Sequence, residues 1–198
     1  MSDDKARLLE QVRQYHQDVQ PDRTFVPGVT EIWPTGAVID ADDRAALVEA
    51  ALDLRIAAGH STLKFESALA RRLKRRKAHL TNSGSSANLL AVSALTSPQL
   101  GERRLRRGDE VITPAAAFPT TVNPILQNGL VPVFVDVELG TYNTTVDMVA
   151  AAIGPKTRAI MIAHTVGNPY EVDEMARLAK EHGLFLIEDN CDALGLPS

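Results

Sequence analysis

Residues 184–195 read LFLIEDNCDALG, an apolar run that ends abruptly in Glu188, Asp189 and Asp192. A short and almost wholly apolar run closed by polar residues is the mark of a strand buried on both faces. The run AIMIA at 159–163 repeats the pattern. Three carboxylates at the end of a buried strand repel one another and lose hydration unless a cation lies near. A metal ion or a protonated ring nitrogen would satisfy them, and so would a capped turn. The residues alone leave these readings open.

Outward from this stretch, further β-rich runs occupy 79–82, 110–113, 131–137, 159–165 and 184–189. Helical patterns at 86–96, 120–127, 145–152 and 172–182 separate them. Strands alternating with amphipathic helices predict an α/β fold, a mainly parallel sheet with helices on both faces over about 78–195. Ligands of such sheets gather at the carboxyl ends of the strands.

Upstream, residues 1–20 place Leu8, Leu9, Val12 and Tyr15 at helical spacing, and Pro21 closes that helix. Pro27, Gly28, Pro34 and Gly36 make 21–40 an extended arm. Asp40 or Asp42 caps a helix running through Leu47, Leu52 and Ile56 to Gly59, and another helix covers 63 to about 76. The expected division is 1–60 for helix, arm and helix, then 61–198 for the ligand-binding domain.

Composition excludes several classes. A net charge of −4 supplies no field for holding nucleic acid. The basic run Arg71, Arg72, Lys74, Arg75, Arg76, Lys77 wraps around a helix and reads as a solvated helix end. No apolar run approaches the roughly 18 residues of a membrane span, and no signal-like segment opens the chain. Cys191 stands alone, which rules out an intrachain disulfide, and a cytoplasmic location is expected.

Three more strand ends carry candidate chemistry. At 82–88, NSGSSAN follows a β-rich run and opens a helix; Gly84 permits a tight turn, and Ser85 and Ser86 add hydroxyl donors. That stretch reads either as an ordinary capped helix or as an anion site at a helix N-terminus. Phe118, in AFPTT at 117–121, is either a core residue or a stacking surface. His164, in AHTVGNP at 163–169, is either a structural histidine or a pocket residue facing the other motifs. No G-x-G-x-x-G opens a helix after the first β-rich run, which disfavours dinucleotide binding.

Taken in order, NSGSSANLLA (82–91), RRGDEVITPAAAFPTTVNPI (106–125), VPVFVDV (131–137), KTRAIMIAHTVGNP (156–169) and LIEDNCDALG (186–195) resemble the DegT/DnrJ/EryC1/StrS sugar aminotransferase/dehydrase family. Within it, the resemblance is to the CDP-4-keto-6-deoxyglucose 3-dehydrase type. The resemblance implies the type I pyridoxal-phosphate-dependent transferase (aspartate aminotransferase) fold. It implies that Gly84, Ser85 and Ser86 hold the phosphate of pyridoxamine or pyridoxal 5′-phosphate and that Phe118 stacks on its ring. Asp189 would pair with the ring nitrogen and Asp192 would sit near the ring hydroxyl, with His164 lining the same pocket. Aminotransferases of the family usually carry Gln where Asp192 stands.

The implied reaction is the C3 dehydration of a nucleotide-linked 4-keto-6-deoxyhexose in deoxysugar biosynthesis, by a homodimeric lyase. The implied proton-transfer base, His in dehydrases and a Schiff-base Lys in aminotransferases, falls after Ser198. Some members bind a [2Fe–2S] cluster fed by a partner reductase, and Cys191 stands where the first ligand falls; one cysteine cannot hold a cluster. The chain ends at LGLPS directly after a strand. It is therefore expected to be an N-terminal portion, with a truncated large domain, no C-terminal small domain and no activity by itself. The alternatives are a pyridoxal-phosphate-dependent sugar-nucleotide aminotransferase and an inactive remnant with a binding role.

Overall fold

A computed structural model describes residues 3–19, 24–32, 36, 38–55 and 57–195. The chain forms two compact units, Met1–His79 and Leu80–Ser198. The boundary lies after His79 and not after residue 60 as expected. The helix that begins at His60 falls in the first unit, which moves the boundary later, and residues 79–82 are irregular and add no strand to the sheet. Of those four residues just Thr81 is β-branched, and a stretch so short becomes a strand only where a ladder exists to receive it.

In the first unit α1 (Asp3–Asp18) packs on α2 (Ala41–Leu52), burying Leu9 and Ala45. Lys5 bridges Glu49 at 3.0 Å and Asp53 at 2.7 Å. Asp40 caps α2: its carboxylate accepts from the Asp43 amide at 2.8 Å, and the Asp40 amide donates to the Asp43 carboxylate at 3.1 Å. α2 stops at Leu52, short of Gly59, because Leu54 turns left-handed at φ 51°. Ile56, Pro21 and Pro34 lie outside the described residues. Residues 24–32 carry turns and no helix or strand. α3 (His60–Arg72) starts earlier than expected and ends before residue 76, where Lys74 takes φ 51°. The basic run thus straddles a helix end, fully exposed.

The second unit is the parallel sheet expected from the sequence. It contains α4 (Gly84–Leu95), β1 (Glu110–Pro114), α5 (Pro119–Gln127), β2 (Val131–Val135), α6 (Val146–Ala152), β3 (Thr157–Ala163), α7 (Val172–Glu181) and β4 (Phe185–Asp189). The strand order is β2-β1-β3-β4, with every pair parallel. Pro132 sits in β2, at a sheet edge, where its missing N–H costs least.

The connections explain the layers. From β1 the chain steps outward to β2, then reverses to β3 and β4. Right-handed crossovers therefore send α5 to one face and α6 and α7 to the other. Each face has its own core. Ile112, Ile160, Ile162, Val149 and Met175 fill one; Val92, Val111, Ile125, Ala159 and Met161 fill the other. Ala159 through Ile162 are fully buried, as a strand between two helical layers must be. β4 departs from the expectation of full burial: all five of its residues are half-buried, since it has a described neighbour on one side only.

Among the described residues no helix is long and apolar enough to cross a membrane.

Candidate functional site

Side chains alternate across a strand, so Phe185 and Ile187 face the α4/α5 core while Leu186 faces the α6/α7 core. The same alternation sends Asp189 to the α4/α5 face and Glu188 to the other. The bonds agree. Asp189 Oδ2 accepts from Asn88 Nδ2 at 2.8 Å and from Thr121 Oγ1 at 3.0 Å. Asp189 Oδ1 accepts from the Cys191 amide at 3.1 Å. Three donors from three segments thus fix one carboxylate at the carboxyl end of β4.

Both side-chain donors are buried, Asn88 at 8% exposure and Thr121 at 0%. Asn88 also donates to the Thr120 carbonyl at 3.2 Å, tying α4 to the start of α5. Their places in their helices bring the remaining candidates close. Asn88 lies four residues after Gly84, about 6 Å along the helix and on the same side. Thr121 lies three residues after Phe118, which is the N-cap of α5 and receives the Thr121 amide at 2.9 Å. Asp189 is therefore held one helical turn from the Gly84–Ser86 loop and one turn from Phe118.

At the start of α4, Ser83 is the N-cap: its hydroxyl accepts from the Ser86 amide at 3.2 Å. Thr81 Oγ1 donates to the Ser83 carbonyl at 2.9 Å, which steadies the turn. This leaves the Gly84 and Ser85 amides, which no helical acceptor can reach. A methyl group placed at Gly84 would meet nothing within 4 Å. Free donors at the positive end of a helix suit an anion. Phe118 exposes 71% of its surface, an uncovered aromatic face beside the anchored carboxylate.

Asp192 is exposed on the turn that follows β4, next to Cys191. Cys191 is exposed as well. Desolvation first, then the carboxylates of Asp192 and Asp189, push its thiol above the usual range.

His164 does not join this group. It lies on the α6/α7 face, 4% exposed, stacked on Tyr170 with ring centroids 4.4 Å apart. Its Nε2 is 3.4 Å from Glu188 Oε2, while its Nδ1 and the Tyr170 hydroxyl are buried with no hydrogen-bond partner among the described residues. The expectation that His164 lines the Asp189 pocket is corrected accordingly: the residue after Ala163 must face away from the side Asp189 occupies. Burial and the nearby Glu188 raise the Tyr170 hydroxyl well above its ordinary value. The crowding of three carboxylates is relieved in the same way, because Glu188 leaves by the far face. Among the described residues no group of three His, Cys, Asp or Glu is gathered for a metal ion.

Sequence reasoning missed the roles of Asn88 and Thr121. Their signal was position: a polar residue one turn inside a helix, on the side of its first residue, has no reason to be buried unless it serves the strand end beneath.

Residues 38–197 match the DegT/DnrJ/EryC1/StrS aminotransferase family. The chain belongs to that family. Over 193 residues it is 67% identical to the dTDP-4-dehydro-2,6-dideoxy-D-glucose 3-dehydratase of Saccharopolyspora spinosa, covering 98% of this chain and 42% of the relative. Over 191 residues it is 49% identical to the lipopolysaccharide biosynthesis protein RfbH of Salmonella typhimurium, covering 96% of this chain and 44% of that one. The crystal structure of the E. coli GDP-4-keto-6-deoxy-D-mannose-3-dehydratase with bound hydrated PLP superposes with a TM-score of 0.69 at 32% identity. The match covers 76% of this chain and 38% of that one. The family's chains are pyridoxal-phosphate-dependent enzymes of the aminotransferase fold, and this chain has that fold. It spans less than half the length of the relatives it matches.

Proposed function

We propose that the Asp189 site binds pyridoxamine 5′-phosphate and serves the C3 dehydration of a nucleotide-linked 4-keto-6-deoxyhexose. The observation that carries the reading is the triply bonded Asp189 carboxylate, one helical turn from both the Gly84–Ser86 loop and the exposed face of Phe118. Anion donors, an aromatic face and a fixed carboxylate suit a phosphorylated, protonated pyridine. When bound, such a group acts as an electron sink for bond cleavage next to its amino carbon.

The chain's own residues supply binding and orientation. The Gly84 and Ser85 amides and the Ser85 hydroxyl take the phosphate. Phe118 covers one ring face and excludes water there. Asp189 holds a proton on the ring nitrogen, and Asn88 and Thr121 keep the carboxylate aimed at it. Asp192 is placed to meet a ring substituent from the turn.

The dehydratase reading is favoured over transamination by Asp192, which stands where aminotransferases of the family usually carry Gln, and by the name of the 67%-identical relative. Dimerisation across the site and a cytoplasmic setting belong to the same proposal.

The test has two arms. The purified chain should bind pyridoxamine phosphate, and bind it far better than pyridoxamine, which lacks the phosphate. A chimera carrying this chain ahead of the remaining sequence of the S. spinosa relative should release water from a nucleotide-linked 4-keto-6-deoxy sugar. Production of an amino sugar instead would decide for the transaminase.

A further inference from the structure

The loop after β3 touches the Asp189–Asp192 turn at two backbone points. The His164 amide donates to the Asp189 carbonyl at 3.1 Å. Gly167, at φ 77°, comes so close that a Cβ there would lie 3.0 Å from the Asp192 carbonyl oxygen. The neighbour is backbone, so it cannot swing aside as a flexible side chain would; to make room, the turn itself must move.

The loop is itself held firmly from the far face. His164 is anchored by Tyr170 and Glu188. The Thr165 amide donates to Asn143 Oδ1 at 3.3 Å, and Asn143 Nδ2 donates to the Asn168 carbonyl at 2.8 Å. Asn168 Nδ2 returns a bond to the Thr141 carbonyl at 3.1 Å. Asn143 is 5% exposed, so these bonds are made away from water.

We propose that Gly167 and His164 are positioning residues for the Asp189–Asp192 turn, clamping it from behind so that both carboxylates stay in register with the cofactor. The His164 ring packs against Tyr170 and Glu188, on the face of the sheet away from the Asp189 carboxylate, and Gly167 approaches the turn through its backbone. The proposal rests on the assignment of Asp189 to pyridoxamine phosphate, but its mechanical part does not. The Cys191 amide is bonded to Asp189 Oδ1, so its hydrogen exchange reads the turn's position with no ligand present.

The experiment compares the full chain with Gly167→Ala, Gly167→Asn and Gly108→Ala. Gly108 has φ 88° and nothing within 4 Å of a Cβ, so it carries the same backbone penalty without the close approach. Asn tolerates positive φ better than Ala but keeps the Cβ, which separates strain from contact. Both Gly167 variants should speed exchange at the Cys191 amide by about tenfold and weaken pyridoxamine phosphate binding by about tenfold, the size a local backbone strain gives. Gly108→Ala should change neither. Unchanged Cys191 exchange in both Gly167 variants, or an equal effect from Gly108→Ala, overturns the clamp. Should the parent chain fail to bind pyridoxamine phosphate, the function assignment falls while the exchange data still decide the clamp.

Discussion

Glu188 and Asp189 are neighbours in the chain whose side chains leave β4 on opposite faces, one toward His164 and the other toward Asn88 and Thr121. Two carboxylates at one strand end thus serve different layers, and their substitutions should separate cleanly. Asp189→Asn should weaken pyridoxamine phosphate binding by roughly thirtyfold or more, since it removes the charge beside a protonated ring nitrogen. Glu188→Gln should change affinity by less than about threefold. Equilibrium titration followed by cofactor absorbance checks both; equal losses would place the two carboxylates in one site.

Thr121→Val keeps volume and burial but deletes one donor to Asp189. A bond to a charged group contributes about 1.5–3 kcal/mol, and the half-buried carboxylate puts this one at the lower end. The variant should therefore stay folded, lose about 1–2 kcal/mol in urea denaturation, and bind pyridoxamine phosphate roughly tenfold more weakly. Asn88→Ala should cost more, because it also frees the Thr120 carbonyl. A Thr121→Val chain with unaltered affinity would show that Asp189 needs no support from α5.

The layers of the fold were legible because apolar runs such as AIMIA admit few other places in a protein. The helix start at Asp40 was legible because capping is local chemistry, whereas the helix expected from residue 86 begins at Gly84 behind a Ser83 cap. The stretch 79–82 was not, since a strand that short is decided by whether a partner ladder exists, and the sequence does not show the ladder. His164 was misplaced for a related reason. Its position at a strand end was right, yet the face it takes depends on counting alternation from the buried residues of β3. Asn88 and Thr121 stood inside motifs already singled out; their task became visible only when α4 and α5 met over β4.

Cys191 offers a pH test at the site. Desolvation and then Asp192 and Asp189 raise its thiol, so the thiolate fraction at a given pH is smaller than for an ordinary cysteine. Its alkylation by iodoacetamide should half-saturate at a pH above that of a free thiol. Asp192→Asn removes a negative neighbour and stabilises the thiolate, so it should shift that midpoint down and speed alkylation near neutrality by roughly two- to fivefold. A midpoint that moves up on removing Asp192 would refute the electrostatic account.

The lysines of the sheet-bearing unit stand at the wrong end for covalent capture of an aldehyde cofactor. Lys156 immediately precedes β3 and Lys180 lies in the last turn of α7, before the chain enters β4. Both therefore sit toward the amino ends of strands, while Asp189 ends β4 at its carboxyl end. Seven residues of β3 separate Lys156 from that end, about 20 Å at the rise of a strand, against a lysine side chain that spans roughly 6 Å. Incubation with pyridoxal phosphate followed by borohydride reduction should accordingly leave peptides containing Lys156 and Lys180 at background labelling, even at concentrations that saturate reversible binding. Peptide mass mapping with and without excess pyridoxamine phosphate measures this. Stoichiometric labelling of either lysine that the competitor abolishes would move the cofactor to the opposite end of the sheet and remove Asp189 from its role.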